Sequence, residues 1–104
     1  MSVYRISIPP HVADVLAHFP PVIKRDAKQA MRIIAKDPHA GEPLKRELAG
    51  LWKYRIRSFR VVYHLVPEDR VVQIMAVDHR DTVYEVVRAL WSPRSSEKKE
   101  EGRR

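Results

Sequence analysis

Residues 51–66 read LWKYRIRSFRVVYHLV, and their hydropathy alternates with period two on both sides of Arg57-Ser58. That alternation is the pattern of half-buried strands, and the two-residue interruption predicts a tight hairpin. With Arg57 and Ser58 as the turn, Ile56 lies opposite Phe59, Arg55 opposite Arg60, Tyr54 opposite Val61 and Lys53 opposite Val62. One face then carries Trp52, Tyr54, Ile56, Phe59, Val61, Tyr63 and Leu65, which is a core face. The other gathers Lys53, Arg55 and Arg60, with His64 further along.

Like charges facing each other across a strand pair cost stability, a few tenths of a kcal/mol each where exposed. Selection for folding alone favours a carboxylate at one of these positions, and the hairpin has none there. Long basic side chains can lie along a solvated sheet face with their stems over apolar surface. Three cations converging on one face point instead to an anion site, and phosphate is the anion that most often takes several.

Outward from the hairpin, Val3 to Ile8 alternates and reads as a first strand ended by Pro9-Pro10. His11 to Phe19 carries Val12, Val15, Leu16 and Phe19 at helical spacing. Pro21 suits the first turn of a second helix with Val22, Ile23, Ala27, Ala30, Met31, Ile33 and Ile34 as its buried stripe. That helix is expected to stop by Asp37, because Pro38 disfavours a helical residue before it. His39 to Pro43 reads as a loop, and Leu44, Leu48 and Leu51 as packing residues. Beyond the turn at Pro67–Arg70, the apolar run Val71 to Val77 predicts a strand buried on both faces. Asp81 or Thr82 is placed to cap a last helix over about 83–91.

The expected fold is α+β: an N-terminal strand, a helical hairpin, a three-stranded antiparallel meander and a short C-terminal helix. Its helices are expected on one side of a curved sheet, leaving the other side as the working surface. Residues 1–91 form the domain, and the charged segment 92–104 has almost nothing to bury and is expected to be a disordered tail.

The 104 residues are enough for one core, and 44% of them are hydrophobic. Twenty Lys and Arg against 13 Asp and Glu give a net charge of +7, which favours an acidic partner such as nucleic acid. The absence of cysteine excludes disulfides, thiol catalysis and thiolate zinc sites. The start MSVYRISIPP lacks the apolar run of a signal peptide, and no stretch has the length of a membrane span, so a cytoplasmic protein without a membrane partner is expected.

Two segments, PLKRELAGLWKYRIRSFRVVY and VDHRDTVY, stand in this order after the helix–Pro-Pro–helix unit. Together they resemble the RelE/ParE superfamily of bacterial and archaeal toxins, on the RelE side, over residues 3 to 91. One departure is the turn Arg57-Ser58, where relatives often carry glycine or aspartate. The resemblance implies a toxin of a type II toxin–antitoxin system that cuts mRNA on the ribosome without a metal or other cofactor. In that chemistry the 2′-hydroxyl attacks the adjacent phosphate, giving a 2′,3′-cyclic phosphate.

Residue by residue, the resemblance assigns catalysis to Lys53, Arg55, Arg60, Arg80 and Tyr84, with His79 competing with Arg80 for one role. Lys45 matches a phosphate-assisting basic residue; Arg46, Arg57 and His64 are further candidates for RNA contact. From the side chains alone, Arg55 and Arg60 suit stabilisation of a charged transition state, and Lys53 serves as base only where neighbouring cations loosen its proton. His79 is the residue type suited to a general acid. Tyr84 can stack on a base or simply pack, and His79 between Asp78 and Asp81 is a weak metal signal.

The implied partners are a RelB-like or similar antitoxin, in a hetero-oligomer, and the ribosome with its message. Two alternatives share the fold: a ParE-like inhibitor of DNA gyrase, and an inactive homologue that only binds antitoxin.

Overall fold

The computed structural model describes residues 3–91; the expected tail, 92–104, lies outside them. Chain order is β1 (Arg5–Ser7), α1 (Pro10–Ala17), α2 (Pro21–Lys36), β2 (Glu42–Pro43), β3 (Leu51–Ile56), β4 (Phe59–Val66), β5 (Val71–His79) and α3 (Val83–Leu90). Single 3₁₀ turns occupy Arg46–Leu48 and Pro67–Asp69. The strands form one sheet in the order β1-β5-β4-β3-β2, with β1 parallel to β5 and the other pairs antiparallel. The α+β class and the meander are as the sequence indicates. The short β2 is an addition: Glu42 pairs with Lys53 and Pro43 with Trp52, within the stretch expected to be loop.

The β3–β4 register is the one the alternation predicts, from Ile56↔Phe59 to Lys53↔Val62. Its turn residue Arg57 takes φ 56°, a left-handed conformation that a two-residue hairpin of this twist requires and that glycine adopts at less cost. The seven residues of the expected core face all join one cluster with Val12 of α1, Ala27, Ala30, Met31 and Ile34 of α2, and Val72, Ile74 and Val77 of β5. α2 begins at Pro21 and ends before Asp37, as its flanking prolines dictate. Its buried side is Ile23, Ala27, Ala30, Met31, Ile34 and Ala35, so the stripe is narrower than expected: Val22 faces out, 38% exposed.

The third helix corrects the expected layering. α1 and α2 share one face of the sheet, whereas α3 lies on the other, where Val83 and Val87 bury Leu48, Leu51, Val62 and Ala76. Thr82 occupies the N-cap position, but its side chain makes no capping hydrogen bond. A bulge in β5 makes this second core possible. Val62 pairs with Ala76 and Tyr63 with Ile74, leaving Met75 as the extra residue. Side-chain parity flips there, so Val72, Ile74 and Val77 reach the α1/α2 core while Ala76 faces α3. Gln73 remains exposed, so β5 is not buried throughout on both faces. Among the described residues, no helix is long and apolar enough to cross a membrane.

Candidate anion-binding cleft

α3 covers the middle of its face and leaves the hairpin end open. Two cross-strand rows define that end: Glu42–Lys53–Val62–Ala76 and Arg55–Arg60–Asp78. The first row passes beneath α3 at Val62 and Ala76; the second stays clear of it. Lys53, Arg55 and Arg60 line a cleft of about 410 Å³ together with Ala40, Gly41, Glu42 and Tyr54. The three cations of the sequence reading are therefore gathered in one concavity.

Arg60 is held by the backbone it springs from, its Nη1 donating to the Phe59 carbonyl at 2.9 Å. Among the described residues no carboxylate lies within ion-pair distance of Arg55 or Arg60. Asp78, beside Arg60 in the sheet, turns its carboxylate to its neighbour and accepts the His79 N–H at 2.7 Å. Lys53 does meet a carboxylate, Glu42, at 3.6 Å. The hairpin itself offers no acidic residue to this face, but β2 brings one in from outside. Sequence reasoning missed Glu42 because a two-residue strand has no periodicity to detect.

The wall that carries Glu42 is anchored by a buried phenol. Tyr63, fully buried, donates its O–H to the Pro38 carbonyl at 2.8 Å and accepts the Gly41 N–H at 3.1 Å. Burial pushes the Tyr63 hydroxyl up to about 12, with Asp37 and Tyr54 adding to the rise and the Gly41 N–H opposing it. Gly41 is required by proximity, since a β-carbon there would sit 2.3 Å from the Lys53 carbonyl oxygen and 2.6 Å from the Tyr63 hydroxyl.

The other sequence candidates lie elsewhere. The flipped parity of β5 turns His79 to the α1/α2 side, edge-on to Phe59 with ring centroids 5.4 Å apart, away from the cleft. Its Nδ1 is 3.9 Å from Asp81, and among the described residues no group of three or more His, Asp or Glu side chains is placed to hold a metal. Arg80 is exposed beside Asp81, with its backbone N–H on the Ser58 carbonyl. Tyr84 packs against the α3 core, which is the packing alternative of the sequence reading. Arg57 is engaged by Asp26 of α2 on the far side of the sheet. His64 lies under Trp91, ring centroids 4.8 Å apart. Lys45 and Arg46 are exposed at the 3₁₀ turn and do not line the cleft.

Known proteins share this fold. The model of the ParE toxin family, toxins of type II parDE toxin–antitoxin systems, matches residues 11–84. Toxin RelG of Mycobacterium tuberculosis is 38% identical over 52 residues, 49% of this chain and 60% of RelG, so the match spans less than two thirds of that relative. A chain of the toxin–antitoxin complex RelBE2 from M. tuberculosis superposes with a TM-score of 0.70 at 30% identity, covering 77% of this chain and 94% of that one. The archaeal RelE–RelB complex from Pyrococcus horikoshii OT3 gives 0.64 at 25% identity, over 75% and 96% of the two chains. With the sheet order, the flanking helices and a family match over most of its length, the chain belongs to the RelE/ParE superfamily of type II toxin–antitoxin toxins.

Proposed function

We propose that this toxin is a ribosome-dependent endoribonuclease that cuts mRNA by attack of a 2′-hydroxyl on the adjacent phosphate, leaving a 2′,3′-cyclic phosphate and a 5′-hydroxyl. The observation that carries the reading is the convergence of Lys53, Arg55 and Arg60 on one open cleft, with Arg60 preorganised by its backbone hydrogen bond. As phosphorus becomes pentacoordinate, negative charge grows on its equatorial oxygens, and fixed cations stabilise that charge more than they stabilise the ground state. Arg60 and Arg55 are the phosphate clamp. Lys53 adds a third positive charge to that clamp and meets Glu42 at 3.6 Å. Arg80, exposed at the rim of the hairpin end, and Lys45 with Arg46 are further contacts for the RNA backbone.

The partner that silences the cleft is an antitoxin, by analogy with the complexes of the two structural relatives, and a net charge of +7 favours an acidic segment. The working compartment is the cytoplasm, where translated messages are found. The same charge makes association with the ribosome strongly salt-dependent.

The test is expression of the toxin followed by mapping of RNA ends. Cyclic-phosphate ends within translated messages, lost in Arg60→Ala, are expected; a fully toxic Arg60→Ala that still cuts overturns the assignment. The matched family model, named for ParE, favours a second reading, inhibition of DNA gyrase by protein contact. A supercoiling assay separates the two, since inhibited supercoiling with intact messages selects the second.

A further inference from the structure

The tip of the β3–β4 hairpin carries two of the three cleft cations, Arg55 and Arg60, and the sheet supports it unevenly. β4 has β5 beside it as far as Phe59↔His79, and Phe59 packs edge-on to Phe19 with ring centroids 4.9 Å apart. β2 pairs with β3 only at Trp52 and Lys53, so among the described residues Tyr54, Arg55 and Ile56 have no strand on their outer side. Between that open edge and α2 lies a gap of about 170 Å³, bordered by Gln29, Ala30 and Ile33. At the turn, Arg57 reaches back to the helix and its Nε donates to the Asp26 carboxylate. Stability does not account for an arginine there. Its φ of 56° is one that glycine takes at less cost, and an ion pair with the Arg57 side chain 57% exposed adds little to a fold. The same turn holds Arg60, whose Nη1 donates to the Phe59 carbonyl at 2.9 Å and, at a longer 3.4 Å, to that of Arg57.

Resting on the endonuclease reading of this cleft, we propose that Asp26 and Arg57 are positioning residues for the cationic clamp. From the far face of the sheet, α2 holds the hairpin turn in the conformation that aims Arg55 and Arg60 at the phosphate, and neither Asp26 nor Arg57 touches the RNA. Arg55 and Arg60 repel each other across the strand pair, so a tip released from α2 lets their side chains diverge. Misplacing such groups lowers the rate of the chemical step more than it weakens binding. The strained backbone at Arg57 is thus the means by which the turn is fixed to the helix.

The experiment is single-turnover cleavage on message-programmed ribosomes over a range of ribosome concentrations, with urea titration of each variant. The variants are Asp26→Asn, Arg57→Gly, the two combined, and the exchange of Asp26→Arg with Arg57→Asp, since aspartate tolerates a left-handed turn. Both single variants are expected to cut about 10–100-fold more slowly at saturation, and the combination no more slowly than either, because each breaks the same contact. Half-saturation should move little and in opposite senses, since one variant removes a negative charge and the other a positive one. Urea midpoints should stay close to wild type, as relief of the backbone offsets the lost pair in Arg57→Gly. The exchange should recover most of the lost rate. Single variants that cut at the wild-type rate overturn the inference alone, as does a slow Arg57→Gly beside a fast Asp26→Asn, which makes Arg57 a direct RNA contact. Slow cleavage that tracks a fallen urea midpoint makes the pair merely structural and overturns it too. A wild type that cuts no message overturns the endonuclease reading and the inference with it.

Discussion

The two faces of the β3–β4 hairpin follow opposite rules. On the α1/α2 side each cross-strand neighbour is apolar or aromatic, and packing is tight enough that Val61 and Tyr63 have no exposed surface. On the other side, at the same end, Arg55 stands opposite Arg60, and among the described residues neither has a carboxylate within ion-pair distance. One alternating sequence serves both, because successive side chains leave a strand in opposite directions. The first face holds the fold together. The second sets like charges against each other at some cost in stability, and it is the face on which the anion site is proposed.

The contrast can be broken from either side. Removing core volume has the largest expected effect: Ile34→Ala, at a fully buried position, should lower unfolding free energy by about 2–5 kcal/mol in urea titration. Arg60→Ala should do the reverse, reducing message cleavage more than about 100-fold while urea stability moves by less than about 0.5 kcal/mol. Tyr63→Phe links the two regions, since it leaves the Gly41 N–H and the Pro38 carbonyl without their partner, and should cost about 1–3 kcal/mol.

The same residue sets an alkaline limit. With the folded-state pKa at about 12, above the ordinary 10, the fold favours the neutral phenol. That contribution is complete below pH 10 and is lost as pH rises from 10 through 12. Wild type should therefore lose stability across this window more steeply than Tyr63→Phe, as followed by circular dichroism. The smallest expected effect on stability sharpens the contrast most. Arg55→Glu should raise stability by a few tenths of a kcal/mol, by pairing opposite charges with Arg60, and should abolish cleavage.

Much of this was legible in the sequence. Prolines 21 and 38 bracket α2, and period-two alternation fixed both the hairpin register and the grouping of Lys53, Arg55 and Arg60. What was not legible depended on long-range placement. Glu42 becomes part of the cleft only because Gly41 passes close enough to Lys53 and Tyr63 for a two-residue ladder to form. α3 has an apolar stripe that would suit either face, and only the second core around Leu48, Leu51 and Val62 shows which one it covers. Arg57 counted as one more cation until α2 supplied Asp26 to bind it.

The unpaired Met75 also bears on how relatives of this chain are aligned. Deleting that single residue would rotate everything from Ala76 to His79 by half a turn, bringing the imidazole round to the cationic side and sending Asp78 into the aromatic layer. A gap of one position in this strand is thus an exchange of inside for outside. Two family members that differ by such an indel can carry the same histidine in the same column and use it for unrelated purposes.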